Sequence, residues 1–148
     1  MSSGKTMKTV LVIDDNPTIV ELIKYAVNLQ GNYNVIVAYD GVQGLERVYT
    51  DQPDCVIVDV KMPRMDGYQL ARCVRGDSRT AHIPLIILSA MTREEDQMTG
   101  ILSGADEYLT KPFKPSALNA TIDRVIRITP DERQRRTEQL VRTQTETR

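Results

Sequence analysis

The sequence has few of the residues on which metal-binding, redox and histidine-based catalytic sites depend. His82 is the only histidine and lies in a polar loop before Pro84, so we expect it at the surface rather than in a catalytic or metal site. The two cysteines, Cys55 and Cys73, lack the spacing of a metal site, and we expect both to be buried, reduced thiols. No apolar run approaches the ~18 residues of a membrane span, and residues 1–6 lack the apolar segment of a signal peptide. We therefore expect a cytoplasmic protein with no membrane contact.

Net charge and length set further bounds. The formal charge of the 148 residues is −1, so no excess of positive charge indicates direct binding to nucleic acid. The hydrophobic content of 41% and charged content of 26% are typical of a globular protein. The length suits one domain with a short extension. We expect an N-terminal extension over residues 1–7, a domain over residues 8–128, and a polar helical tail or linker stub over residues 129–148.

Apolar strands and amphipathic helices alternate five times along the chain. The predicted strands cover residues 9–13, 35–38, 55–58, 85–88 and 107–110, and helical periodicity follows each of them. For the fourth helix, Thr92 with Glu95 three residues later predicts a capping box. Short connections between apolar strands imply a parallel sheet covered by helices on both faces. The predicted fold is a doubly wound, single-domain α/β protein with five strands and five helices.

Polar residues stand at the carboxyl ends of four of these strands. Asp14 and Asp15 follow the first strand, Asp59 the third, Ser89 the fourth and Lys111 the fifth. Open α/β sheets bind ligands at this edge. Three carboxylates brought together there would repel one another, and Mg²⁺ would relieve that repulsion. With a lysine and a hydroxyl beside them, the groups suit transfer of a phosphoryl group to Asp59 as nucleophile.

Residues 8–128 resemble the receiver domain of two-component response regulators, the CheY-like family. The resemblance rests on five short segments that occur in the family's order, each next to a predicted strand. They are Asp14-Asp15, Asp59 with Met62-Pro63 and Met65-Asp66-Gly67, Ser89-Ala90, Gly104-Ala105-Asp106, and Lys111-Pro112-Phe113. The resemblance implies the flavodoxin-like strand order 2-1-3-4-5.

The resemblance also implies a role for each site residue. Asp59 would accept a phosphoryl group from a histidine kinase or a phosphotransfer protein, and the domain would catalyse only its own phosphorylation and dephosphorylation. Lys111, preceding a cis peptide bond to Pro112, and Ser89 would contact that group. Tyr108 would be the switch aromatic, whose ring turns inward when the Ser89 hydroxyl moves toward phosphate; the alternative is a half-buried strand aromatic. The ligands of Mg²⁺ would be Asp14, Asp15, Asp59 and the backbone carbonyl of Lys61.

Two positions outside these segments are candidates for setting the lifetime of the phosphoryl group. Lys61 lies two residues after Asp59, and Met91 lies two residues after Ser89. Neither side chain is a carboxylate or an amide that could orient an attacking water. We therefore hypothesise slow self-hydrolysis.

Three functions remain open at this point. The first is a switch that changes the surface of the fourth helix, fifth strand and fifth helix to control a protein target or a homodimer. The second is a fragment of a larger regulator whose DNA-binding or enzymatic output lies outside this chain, since the tail resembles a linker. The third is a small phosphatase with an aspartate nucleophile, which Lys61 disfavours because a second acid is wanted there. The tail mixes acids with arginines, which predicts a solvated helix rather than a nucleic-acid patch.

Overall fold

A computed structural model describes residues 7–146 of the protein, and the side chains of residues 7–143. The predicted N-terminal extension therefore lies outside the described residues except for Met7. Eleven elements follow one another along the chain. They are β1 (Lys8–Ile13), α1 (Pro17–Asn28), β2 (Tyr33–Ala38), α2 (Gly41–Asp51), β3 (Cys55–Val58), α3 (Gly67–Arg75), β4 (Leu85–Ser89), α4 (Glu94–Ser103), β5 (Glu107–Thr110), α5 (Pro115–Val125) and α6 (Pro130–Glu146).

The five strands form one parallel sheet in the order β2-β1-β3-β4-β5. This confirms the predicted doubly wound fold and its strand order. The helix count differs, because the predicted domain has five helices whereas the described residues contain six. The sixth, α6, lies in the polar tail.

Alternate residues of the central strands fill two separate cores, one on each face of the sheet. Val10 and Val12 of β1 pack on one side, with α1 and α5 over them. Leu11 and Ile13 pack on the other side, under α2 and α3. Because successive strand side chains point to opposite faces, a strand buried on both sides must be apolar throughout. This explains the continuous apolar runs of β1, β3 and β4. Because the strands are parallel, their carboxyl ends lie at one edge of the sheet.

The capping box predicted for the fourth helix is wrong. The helix begins at Glu94, and its N-cap residue is Arg93, whose side chain makes no capping hydrogen bond. Three acids occupy the first turn of α4 instead, where negative charge interacts favourably with the helix dipole. An acidic first turn thus takes the place of the expected Thr92–Glu95 pair.

The two cysteines differ in environment. Cys55 is buried in β3, as predicted, whereas Cys73 is exposed, so the prediction of a second buried thiol is wrong. Cys73 lies on α3, at the edge of the face whose buried residues include Leu70, Ala71 and Val74, and its side chain is exposed. Within residues 7–146, no helix has the length and apolar character needed to cross a membrane.

Candidate functional site at the carboxyl edge of the sheet

The carboxyl ends of β1 and β3 bring Asp14 and Asp59 side by side. Ile13 pairs with Val58 across these neighbouring strands, and each acid follows directly after its strand. The loop after β3 returns closely: a Cβ atom on Gly67 would lie 2.3 Å from the carbonyl oxygen of Asp59. Glycine at this position therefore permits the tight return of the chain at the start of α3.

Asp14, Asp15 and Asp59 form one acidic cluster. Each offers a carboxylate oxygen, and these three oxygens all lie within 4.8 Å of one another. Asp14 is only 2% exposed, and its Oδ1 accepts a hydrogen bond from the backbone N–H of Asn16 at 2.9 Å. The Oδ1 atom of Asp59 accepts one from the backbone N–H of Val60 at 2.7 Å. These contacts orient the two inner carboxylates.

Lys111 supplies the positive charge of the cluster. Its Nζ lies 3.0 Å from Oδ2 of Asp14 and 3.3 Å from Oδ2 of Asp59. The Lys111–Pro112 peptide bond is cis, as the resemblance implied. One lysine faces three acids, so the four side chains together carry a formal charge of −2.

Burial and charge shift the pKa values of both Asp59 and Lys111. The pKa of Asp59 is raised above its usual value, mainly by burial and further by the charge of Asp14, although Lys111 opposes the shift. Burial acts to lower the pKa of Lys111, but its hydrogen bond to Asp14 and the charges of both acids outweigh that effect and raise it. The site therefore favours a protonated lysine and penalises the ionised Asp59.

The chemistry of the cluster fits a hard divalent cation. Magnesium prefers oxygen ligands and is usually held by one or two carboxylates, with waters and phosphate oxygens completing its shell. Asp14, Asp15 and Asp59 provide such oxygens. Their negative charge exceeds the positive charge of Lys111, and this excess favours binding of a cation. Among the described residues, no other group of His, Cys, Asp and Glu side chains offers such a set.

Ser89 and Tyr108 are joined through the same loop residue, Met91. Ser89 ends β4 and is buried, and its Oγ accepts a hydrogen bond from the backbone N–H of Met91 at 3.1 Å. The Tyr108 hydroxyl donates to the backbone carbonyl of Met91 at 2.7 Å. A movement of the Ser89 hydroxyl would therefore act on the residue that holds the tyrosine hydroxyl. Sequence position alone did not show this connection.

Lys61 and Met91 line one groove beside the acidic cluster. The groove has a volume of about 590 Å³ and also borders on Asp15 and Tyr68. Lys61 is exposed, and Met91 is half-buried. The structure thus brings together the two positions named as candidates for control of phosphoryl lifetime.

Two residues near the switch position escaped the sequence analysis. A Cβ atom on Gly100 of α4 would lie 2.7 Å from the ring of Tyr108 and 3.0 Å from Ile87, so this glycine makes room for the ring. Tyr68 of α3 donates its hydroxyl to the backbone carbonyl of Asp96 at 3.0 Å. The signal available for Gly100 was a glycine within a helical pattern. Tyr68 is a lone tyrosine, and no sequence signal was available for it.

The comparisons with known proteins agree with this geometry. A family model described as "Response regulator receiver domain" matches residues 10–123. The DNA-binding dual master transcriptional regulator RpaA of Synechocystis is 37% identical over 123 residues, which are 83% of this chain and 51% of that protein. The chain spans about half the length of the curated relatives it matches.

Solved structures give the same result. The receiver domain of the Francisella response regulator 1452 superposes with a TM-score of 0.74 at 34% identity, covering 80% of this chain and 96% of that one. The receiver domain of the sensor histidine kinase PA1611 of Pseudomonas aeruginosa superposes with a TM-score of 0.75 at 28% identity, covering 82% and 98%. That structure has a magnesium ion coordinated in its active-site cleft.

Proposed function

Because the chain belongs to the response regulator receiver domain family, we propose that it is a Mg²⁺-dependent phosphoacceptor whose phosphorylated residue is Asp59. The observation that carries this proposal is the cluster of three carboxylates with Lys111 between Asp14 and Asp59. Receiver domains act as signalling switches rather than as enzymes with external turnover. Phosphorylation of Asp59 is therefore the event that would change the state of this chain.

In the proposed reaction, an Oδ atom of Asp59 attacks the phosphorus atom of a phosphohistidine. A P–O bond forms, the P–N bond breaks, and the imidazole leaves with the bonding electrons and takes up a proton from solvent. The products are an acyl phosphate on Asp59 and a neutral histidine on the donor. Lys111 and the Ser89 hydroxyl would hydrogen-bond the phosphoryl oxygens, because catalysis of phosphoryl transfer consists mainly of positioning and charge neutralisation.

Asp14, Asp15 and Asp59, with the backbone carbonyl of Lys61, would hold the magnesium ion. When bound, the ion neutralises charge on the phosphoryl oxygens and on the carboxylates. The fit rests on the oxygen donors within 4.8 Å of one another and on their excess negative charge. Burial raises the pKa of Asp59 and so disfavours its ionised form. A bound cation would offset that cost, which is a second reason to expect the ion.

Phosphorylation would reach the surface through Ser89, Met91 and Tyr108. A phosphoryl group that draws the Ser89 hydroxyl would break its bond to the Met91 N–H and so change the loop that holds the Tyr108 hydroxyl. We name the outer surface formed by α4, β5 and α5 the output surface. The two states would differ there, and the partner would be a downstream protein or a second copy of the chain.

The test is phosphorylation of the full chain by a small phosphoryl donor, such as acetyl phosphate, with Mg²⁺. Intact mass should show one added phosphoryl group, which EDTA and the Asp59→Asn substitution both prevent. Glu46→Gln is the matched control, since it removes one exposed acid of α2 without touching the site. Phosphorylation of the Asp59→Asn protein at the wild-type rate would disprove the assignment.

The lifetime of the acyl phosphate is a second measurable property. Lys61 and Met91 flank the groove beside the cluster, and neither can orient water as a carboxylate or amide would. We expect slow hydrolysis in the wild type and faster loss of phosphate in the Lys61→Asn/Met91→Glu double variant. An unchanged rate of loss in Mg²⁺ would refute this role.

A second candidate is a receiver that forms part of a longer regulator. It is favoured by the fact that this chain covers only about half of its curated relatives, and RpaA by its name binds DNA. The expectation of no direct nucleic-acid contact then applies to this chain alone. The open reading frame around the coding sequence distinguishes this candidate from a free-standing switch.

A further inference from the structure

Helix α6 lies along α4 and β5 instead of projecting from the domain. It starts at Pro130, behind Thr129, whose Oγ1 accepts a hydrogen bond from the backbone N–H of Glu132 at 3.1 Å. The residues of α6 that line the groove against α4 and β5 have helical spacing and therefore share one face of the helix. They include Arg133, Arg136, Thr137 and Leu140.

Two arginines of this face hold α6 to Asp106 and to Glu107, the first residue of β5. Arg133 forms a bidentate pair with Asp106, with Nε 2.6 Å from Oδ1 and Nη2 3.2 Å from Oδ2. The side chains of the pair are only 12% and 1% exposed. Arg136 donates to the backbone carbonyl of Asp106 at 3.1 Å and lies 3.3 Å from the Glu107 carboxylate. The expectation of a fully solvated tail is therefore wrong for Arg133.

The domain does not need α6 to satisfy Asp106. Arg75 of α3 lies 2.9 Å from Oδ2 of this carboxylate, and the backbone N–H of Leu85 donates to the same oxygen at 2.9 Å. Release of α6 would thus leave no unpaired buried charge, which is the usual cost of breaking a buried ion pair. Leu140 is the only apolar residue of the described part of α6 that is even half-buried. These features suit a contact that opens and closes reversibly.

The output surface without α6 has a charge pattern that suits a second copy of the chain. Acids lie in the first turn of α4, including Glu94, and on β5 at Glu107. Arg124 of α5 and Arg127 just beyond it are exposed, and Arg124 lies 3.3 Å from the Glu107 carboxylate of the same chain. In a two-fold dimer the exposed Arg127 of one copy would face the acidic first turn of α4 in the other. Arg136 of α6 supplies a second positive charge to Glu107, beside Arg124.

We propose that α6 is an intramolecular competitor for the output surface: while Arg133 holds Asp106, a second copy of the chain cannot dock on α4 and β5. The proposal rests on the proposed function for the use of that surface. The polar contacts that hold α6 in this structure involve Asp106 and Glu107 and not Asp59. A change that releases α6 would therefore favour self-association even when Asp59 is unchanged.

The experiment compares full-length wild type with two matched double variants. Arg133→Ala/Arg136→Ala removes the two arginines that contact Asp106 and Glu107. Arg135→Ala/Arg142→Ala removes two exposed arginines of the same helix, so it changes net charge and helix propensity equally. Amide hydrogen exchange reports the docking of α6, and sedimentation velocity reports dimer formation, each with and without Mg²⁺ and beryllofluoride.

In the first variant we expect faster exchange across residues 131–143 and a dimer dissociation constant lower by about a hundredfold, because a helix docked about nine-tenths of the time leaves about one copy in ten competent and the dimer needs two competent copies. The second variant should match wild type in both measurements. Unchanged exchange in the first variant would overturn the docking role of the arginines. Faster exchange without stronger self-association would overturn the competition. Phosphorylation of Asp59 is measured by intact mass on the same protein samples. This measurement distinguishes both of these failures from a failure of the proposed function.

Discussion

Replacement of Asp59 by asparagine should stabilise the protein in the absence of divalent cations. The ionised carboxylate lies 3.3 Å from the Nζ of Lys111, worth about 5 kcal/mol of attraction at an effective dielectric constant of about 20. Within 4.8 Å of Asp14, it also meets about 3.5 kcal/mol of repulsion by the same rule. Asp15 adds a smaller repulsion because this residue is exposed and solvent screens its charge.

Burial decides the balance, since the attraction to Lys111 exceeds the repulsion from Asp14 by only about 1.5 kcal/mol and Asp15 reduces that surplus. The pKa of Asp59 is raised, with burial as the largest cause, so ionisation of this side chain costs free energy of folding. We expect Asp59→Asn to raise the free energy of unfolding by about 1–2 kcal/mol at pH 7 in EDTA, the usual gain from removing an unfavourable charge, or the Tm by about 3–6 °C for a chain of this size.

The pH dependence has a definite sign. A raised pKa of a carboxyl group means that the folded state binds the proton more tightly than the unfolded state does. The stability of the wild type relative to Asp59→Asn is therefore greatest below the ordinary carboxyl pKa and is lost as pH rises through the folded-state pKa. The advantage of the variant should grow from acid to neutral pH and then level off.

Magnesium should remove this advantage. A cation that binds only the folded state stabilises the wild type by about 1.4 kcal/mol at tenfold its Kd. The variant has lost one ligand and should gain less. Thermal unfolding with EDTA and with Mg²⁺ measures both effects, and Glu46→Gln controls for the loss of one negative charge. A variant less stable than wild type in EDTA, or an equal gain from Mg²⁺ in both proteins, would refute the electrostatic reasoning.

Two further substitutions test packing beside the site. Gly100→Ala should lower stability by about 1–2 kcal/mol despite the better helix propensity of alanine, because the new methyl group would meet the Tyr108 ring. In a Tyr108→Ala background the same change should cost less, and a double-mutant cycle by chemical denaturation measures the difference; equal costs would contradict the proposed contact. Asp106→Asn should cost about 3 kcal/mol by denaturant unfolding, because it leaves the buried Arg75 without its carboxylate. Asp131→Asn, an exposed acid of α6, should cost far less, and equal losses would refute the importance of the buried pair.

Much of the site could be predicted because it depends on strand ends. Buried parallel strands are apolar throughout, so the first polar residue after each of them is conspicuous in the sequence. Asp14, Asp59 and Ser89 were found in this way, and the structure places all three at the same edge of the sheet. The strand order itself came from the family resemblance, because periodicity does not say which strands are neighbours.

The sequence by itself determined the α/β class, the strands and the residues that close them, since these depend on local periodicity and on chemistry adjacent along the chain. Only the tertiary structure decided how distant residues meet. Arg133 and Asp106 are 27 positions apart and became partners because α6 turns back over β5. Gly100 became necessary because the Tyr108 ring occupies the space that its side chain would need. Such contacts arise from the packing of one element on another, which no local pattern encodes.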